Sequence, residues 1–233
     1  MKEKIHNVLF DLDGTLADTA PDLADTLNQV LTENDRPTLS FDTIRPTVSH
    51  GGVFMLNKAF GIGLKDPGFA ELRSRFLEIY AGRLSNKTRL FQGIDTVLDR
   101  LENTGIDWGI VTNKPEKLTR PLLRSLGIHD RTRCIVGGDT MEFSKPHPAP
   151  MLYACSLLGC SPETTLYIGD AQRDIQAGQN TGMYTLIAGY GYIGTDDAPE
   201  SWGADGMVNE PVEIIEWIEN FGKSEVRMKI QKS

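Results

Sequence analysis

Short runs of β-branched and apolar residues recur along the chain at 5–10 (Ile5, Val8, Leu9, Phe10), 108–111 (Trp108, Ile110, Val111), 134–136, 166–168 and 184–187. Each predicts a buried strand. Helical patterns separate most of them. Between the second and third runs, Pro115 at a first helical position is followed by Leu118, Leu122 and Leu126 at a spacing of four, which predicts a helix over 115–126. The alternation predicts an α/β fold: a doubly wound, Rossmann-like parallel sheet with helices on both faces.

One stretch breaks the rhythm. Residues 17–88 hold no convincing strand, only amphipathic helical spacing such as Leu23, Leu27, Val30 and Leu31, with Thr19 and Asp22 placed to form a capping box. An all-helical module is therefore expected directly after the first strand, with hinges at 16–20 and at the polar exit 84–91. The division that follows is an α/β core of residues 1–16 and 89–222, a helical insertion of residues 17–88, and a flexible tail of residues 223–233.

With 233 residues and 39% hydrophobic content the chain can bury its own core. Its 24 basic and 32 acidic residues give a net charge of −8, which repels a phosphate backbone and argues against nucleic acid as a partner, even though the tail is locally basic (Lys223, Arg227, Lys229, Lys232). No stretch approaches the roughly 20 apolar residues of a membrane span, nor do residues 1–10 resemble a signal peptide, so a cytoplasmic protein is expected. Cys134, Cys155 and Cys160 do not have the usual zinc spacing and are read as buried thiols. His6, His129 and His147, like Trp108, Trp202 and Trp217, are read as packing or surface residues.

The chemistry gathers where strands end. The first strand runs into Asp11-Leu12-Asp13-Gly14-Thr15, and alternation along extended backbone sends Asp11 and Asp13 to one side. Two carboxylates so placed repel unless one keeps its proton or a cation lies between them, and hard Mg²⁺ with oxygen ligands suits that position. Gly14 lets the chain turn. A second pair, Asp170 and Asp174, follows another buried strand and is expected to share one face at the start of a helix. Thr112-Asn113-Lys114 closes the strand 108–111, and Lys145-Pro146-His147-Pro148 precedes a helix. A threonine hydroxyl and backbone N–H groups suit phosphoryl oxygens, and a lysine suits their charge.

These four segments, Asp11 to Thr15, Thr112-Asn113, Lys145-Pro146 and Gly169 to Asp174, stand in the order and spacing of the haloacid dehalogenase-like superfamily, which the chain resembles over nearly its whole length. The insertion looks like that superfamily's mobile helical cap. The run Phe10 to Leu16 resembles the phosphoglycolate-phosphatase-like branch, and Asp13 argues for phosphate chemistry, because haloalkanoic dehalogenases lack an acid two positions after the nucleophile.

The resemblance implies a Mg²⁺-dependent phosphatase of small phosphate esters. Asp11 would be the nucleophile and form an aspartyl-phosphate, and Asp13 the general acid and base. Mg²⁺ would be held by Asp11, the main-chain carbonyl of Asp13, and Asp170. Thr112, the backbone of Asn113, Lys145 and Gly14 would hold phosphoryl oxygens, with Asp174 in support. Selectivity is expected in the loop Thr47 to Gly52, where His50 could meet the substrate. That loop, with Gly189 to Ile193 and Trp202 to Asp205, looks closer to phosphatases acting on N-acetylmuramic acid 6-phosphate than to those acting on 2-phosphoglycolate. Ala171 departs from the serine common after the acid of that last segment. The alternatives are a phosphosugar mutase of the same superfamily and a receiver-like phosphoacceptor module; monomer and dimer are both compatible with the sequence.

Overall fold

The computed structural model describes residues 4–221, so the tail of residues 223–233 lies outside the described residues. Six parallel strands form the main sheet in the order β5-β4-β1-β6-β7-β8: β1 (Asn7–Phe10), β4 (Asp107–Val111), β5 (Cys134–Val136), β6 (Thr165–Gly169), β7 (Tyr184–Ala188) and β8 (Gly206–Val208). The order places β1 centrally, between β4 and β6, with Phe10 level with Ile110 and Ile168. The three loops that leave these strands therefore start side by side, and in an open parallel sheet that edge is where ligands bind.

Strand alternation divides the core. Val8, Phe10, Leu166 and Ile168 face the cluster built with α5 (Ile94–Asn103) and Ile214 of α9 (Glu213–Asn220), whereas Leu9, Val111 and Tyr167 face Met151, Ala154 and Leu158 of α7 (Ala149–Leu158) and Ala177 of α8 (Gln172–Gln179). Burial on both faces explains why these strands read as continuous apolar runs rather than alternating ones. β8 escaped the sequence reading because its three residues include a glycine and a half-exposed Met207. The helix of residues 115–126 is α6 (Glu116–Ser125), with Pro115 outside it as the N-cap residue.

Between β1 and β4 lie α1 (Ala20–Glu33), α2 (Phe41–Ile44), a 3₁₀ turn (Arg45–His50), α3 (Gly51–Phe60) and α4 (Phe69–Ala81), which pack Leu27, Leu31, Met55, Leu56, Phe76 and Tyr80 into a cluster of their own. Two expectations for this stretch need correction. It does contain strand: β2 (Ala17–Asp18) pairs antiparallel with β3 (Arg89–Leu90), a short ribbon that joins the entry to the exit. Nor do Thr19 and Asp22 form a capping box. The Thr19 hydroxyl donates to Asp13 Oδ1 at 2.6 Å, and buried Asp22 accepts from Lys87 N–H, Thr88 N–H and the Thr88 hydroxyl, the last at 2.7 Å. Each short polar side chain has a better partner, distant in sequence, than the local helix end offers. Among the described residues, no helix is long and apolar enough to cross a membrane.

Asp22 thus closes the neck of the insertion. Asp22→Ala leaves two backbone N–H groups and a hydroxyl without their acceptor, and is expected to cost about 3 kcal/mol. In urea unfolding followed by circular dichroism this appears as a lower midpoint at unchanged m value.

Candidate active site

Asp11 follows β1 directly, its N–H bonded to Ile168 O, and Asp170 follows β6, so adjacent strands deliver the two carboxylates to one place. Asp174 joins them. Oxygens of Asp11, Asp170 and Asp174 lie within 4.8 Å of one another, and all three residues are buried. Asp170 does not share a helical face with Asp174, because α8 begins only at Gln172. Asp174 instead turns back to accept the Ala171 N–H at 3.0 Å, the role of an N-terminal capping acid.

Lys145 holds the cluster. Its ammonium lies 2.9 Å from Asp11 Oδ1, 2.8 Å from Asp174 Oδ1 and 2.7 Å from the Tyr167 hydroxyl, which itself donates to Val111 O. The contact to Tyr167 is a hydrogen bond and those to the two carboxylates are ion pairs, whose oxygens have no hydrogen-bond partner among the described residues. The Asn113 side chain fixes the Lys145 backbone, donating to its carbonyl and accepting its N–H, both at 3.0 Å. Thr112, buried at the end of β4, accepts the Lys114 N–H. Gly14, at φ +84°, lies so close to Asp170 that a Cβ would collide with its carboxylate.

Asp13 stands apart from the three acids. Its Oδ1 accepts from Lys114 Nζ at 2.9 Å and from the Thr19 hydroxyl, so its side chain faces the insertion. His50 ends the 3₁₀ turn rather than sitting in an open loop, with its ring 4.5 Å from that of Phe54. Burial lowers the His50 pKa, and Arg173 adds to this against the pull of Asp197. The contact between the insertion and the acid cluster is made by the neighbouring Ser49, whose hydroxyl donates to Asp170 Oδ2 at 2.6 Å while its carbonyl accepts from Arg173.

Sequence reasoning passed over Ser49, Tyr80, Lys114, Arg173 and Tyr192. Tyr192 gives its N–H to Asp170 Oδ2 at 2.9 Å, and its hydroxyl accepts the N–H groups of Thr19 and Ala20 at the start of α1. The available signal was position: Lys114 and Arg173 lie inside two of the recognised segments, Ser49 inside the loop Thr47 to Gly52 and Tyr192 inside the segment Gly189 to Ile193, whereas nothing local marks Tyr80.

Four carboxylates (Asp11, Asp13, Asp170, Asp174) meet three cations (Lys114, Lys145, Arg173), leaving an excess of negative charge in a buried place. Burial raises the pKa of Asp170 to about 7, with repulsion from Asp174 and Asp11 adding to it. Burial raises Asp174 as well. Asp11 is lowered: its burial works the other way, but Lys145 and then Arg173 outweigh it. Arg173 stays charged against its own burial because Asp174, Asp11 and Asp170 surround it. Asp170 Oδ1 is buried without a hydrogen-bond partner among the described residues. A hard divalent cation fits this donor set: it would satisfy that oxygen and offset the local excess of negative charge.

Two outcomes follow. The folded-state pKa of Asp170 lies above its ordinary value, so the metal-free fold holds this proton more tightly than the unfolded chain and loses stability as pH rises from the ordinary carboxylate range through about 7. Asp170→Asn should therefore raise the metal-free Tm at pH 8 by a few degrees and abolish the Tm gain on adding Mg²⁺, read by differential scanning fluorimetry. For the wild type, Mg²⁺ affinity by calorimetry should fall as pH is lowered from 8 to 6, because protons compete for the same carboxylates.

The sequence profile of a family described as haloacid dehalogenase-like hydrolase matches residues 8–188. An N-acetylmuramic acid 6-phosphate phosphatase from Pseudomonas aeruginosa is 40% identical over 91% of this chain and 94% of its own length. A phosphoglycolate phosphatase from Xanthomonas campestris pv. campestris is 43% identical over 90% of this chain and 94% of its own. A crystal structure of a predicted phosphoglycolate phosphatase from Haemophilus somnus superposes with a TM-score of 0.82 at 28% identity, covering 93% of this chain and 99% of that one. With its acids, threonine and lysine gathered at the ends of three neighbouring strands, the chain belongs to the haloacid dehalogenase-like hydrolases.

Proposed function

We propose that this phosphatase hydrolyses a small anionic phosphate ester through an aspartyl-phosphate on Asp11, with Mg²⁺ held by Asp11, Asp170 and the main-chain carbonyl of Asp13. The observation that carries the reading is the buried acid cluster pinned by Lys145 beside a cavity of about 200 Å³. Bound there, Mg²⁺ supplies charge stabilisation to the phosphoryl oxygens.

This chain's residues divide the rest. Lys145 fixes the Asp11 carboxylate for attack on phosphorus and neutralises the charge that grows on the phosphoryl oxygens. The P–O bond to the leaving group breaks as the Asp11–phosphorus bond forms, and Asp13 gives its proton to the departing oxygen. Asp13, now a carboxylate, takes a proton from water as that water attacks phosphorus and releases Asp11 and inorganic phosphate. Thr112 and the Asn113 backbone hold phosphoryl oxygens, and Arg173 lends its charge from the side of the insertion. Asp174 keeps Lys145 in place. The insertion acts as a cap, excluding water and selecting the leaving group.

The cavity is lined by Asp13, Ser49, His50, Lys114 and Arg173 together with Phe76 and Leu118, and it falls below the roughly 300 Å³ at which drug-sized ligand pockets begin. That size favours a two-carbon ester such as 2-phosphoglycolate. N-acetylmuramic acid 6-phosphate, the substrate named for the Pseudomonas relative, remains the second reading for one reason. A second cavity of about 440 Å³, lined by Thr43, Thr47, Lys58 and Asp197, shares His50 as a wall, and turning that ring aside would give a sugar room.

Phosphate release in the presence of Mg²⁺ tests this, with chelator as control. The expected kcat/KM is higher for 2-phosphoglycolate than for N-acetylmuramic acid 6-phosphate by at least tenfold, and Asp11→Asn removes turnover of both by several orders of magnitude. His50→Ala should narrow the ratio by improving the sugar substrate. A wild-type preference for the sugar would overturn the size argument, and near-normal turnover by Asp11→Asn would sink the covalent route.

A further inference from the structure

Lys114 is a buried cation that the reaction outlined above leaves without a task. Its side chain is 5% exposed, at the junction of the strand-end loop after β4 with α4 of the insertion. One contact is to the core: Nζ lies 2.9 Å from Asp13 Oδ1. The other is to the insertion: Nζ lies 2.7 Å from the Tyr80 hydroxyl and 4.5 Å from the centre of its ring. Asp13 and Tyr80 keep the ammonium charged although burial opposes it.

We propose that Lys114 is a positioning residue for the general acid, holding Asp13 in its working rotamer only while α4 is docked with Tyr80 against it. The inference rests on the assignment of Asp13 as proton donor. A carboxylate on a short side chain can rotate. With Lys114 and the Thr19 hydroxyl both bound to Oδ1, one rotamer is fixed and Oδ2 is left to carry the proton toward the leaving group. Lys114 cannot reach Asp13 in this way without surrendering its hydration, and Tyr80 supplies both the second hydrogen bond and the aromatic face that make the buried site tolerable. Lifting α4 removes the phenol and the ring together. The acid is then correctly aimed when the cap is down and not otherwise, so protonation of the leaving group waits for closure.

The leaving group reads this directly. 2,4-Dinitrophenolate departs without a proton, whereas the alkoxide of an alkyl phosphate needs one. Full-length wild type, Lys114→Met, Tyr80→Phe and Asp11→Asn are compared with Mg²⁺ on 2,4-dinitrophenyl phosphate and on whichever of 2-phosphoglycolate and N-acetylmuramic acid 6-phosphate the wild type turns over faster. Lys114→Met should lose at least a hundredfold in kcat on the alkyl ester but less than tenfold on the dinitrophenyl ester. Tyr80→Phe, which keeps the ring and removes only the hydroxyl, should show the same imbalance at smaller size, roughly tenfold against less than threefold. Equal losses on both esters in the two variants, or changes confined to KM, would overturn the positioning role and leave Lys114 a packing residue. Asp11→Asn separates the two levels of inference: if it retains activity on both esters the phosphatase reading itself fails, and if it is inactive while Lys114→Met loses equally on both, only the role of Lys114 fails.

Discussion

The Lys145 ammonium, ion-paired with Asp11 and Asp174 and hydrogen-bonded to Tyr167, is the interaction on which the rest of the site depends. Three buried carboxylates with oxygens within 4.8 Å of one another would repel and take up protons. One lysine, set between two of them, lets Asp11 stay ionised while Asp170 and Asp174 are pushed the other way. The lysine is in turn held from below by a tyrosine that spans to Val111 O, and from behind by the Asn113 amide gripping its backbone. Strand order puts these pieces together: β4, β1 and β6 are neighbours, so their outgoing loops cannot avoid one another.

The same dependence extends into the helical insertion. Ser49 reaches Asp170, Tyr80 reaches Lys114, and the Tyr192 hydroxyl takes the first N–H groups of α1 while its own N–H holds Asp170. Asp22 ties the entry of the insertion to Thr88 at its exit. The helices are thus joined at several points to the acid cluster and to Asp13. An excess of buried negative charge is costly to the metal-free fold and useful to a cation, a trade that functional sites commonly make.

The sheet was legible in the sequence because parallel strands covered on both faces must be apolar throughout; Asp11, Asp13, Thr112 and Asp170 stood out because they follow those strands, and Lys145 and Asp174 because they stand near the starts of helices. Local rules failed where distant partners outbid them. Thr19 and Asp22 have the spacing of a capping box, yet Asp13 and Thr88 claim them. Asp170 and Asp174 have helical spacing, yet the helix starts after the first of them. His50 carried the local signal for substrate contact, whereas Ser49 touches the acids. Tyr80 and Tyr192 sit in ordinary apolar surroundings, and their hydroxyl partners are visible only once the helices are placed on the sheet.

The claim that most of this supports is that phosphate is carried for a time on Asp11. It is tested by mixing enzyme with substrate and Mg²⁺, quenching in acid during turnover, and mapping peptides by mass spectrometry. A phosphoryl group on the peptide that contains Asp11, absent from Asp11→Asn and from a chelator control, is the predicted result. Steady phosphate release under conditions that leave the Asp11 peptide unmodified, or a phosphoryl group found on another residue, would contradict it.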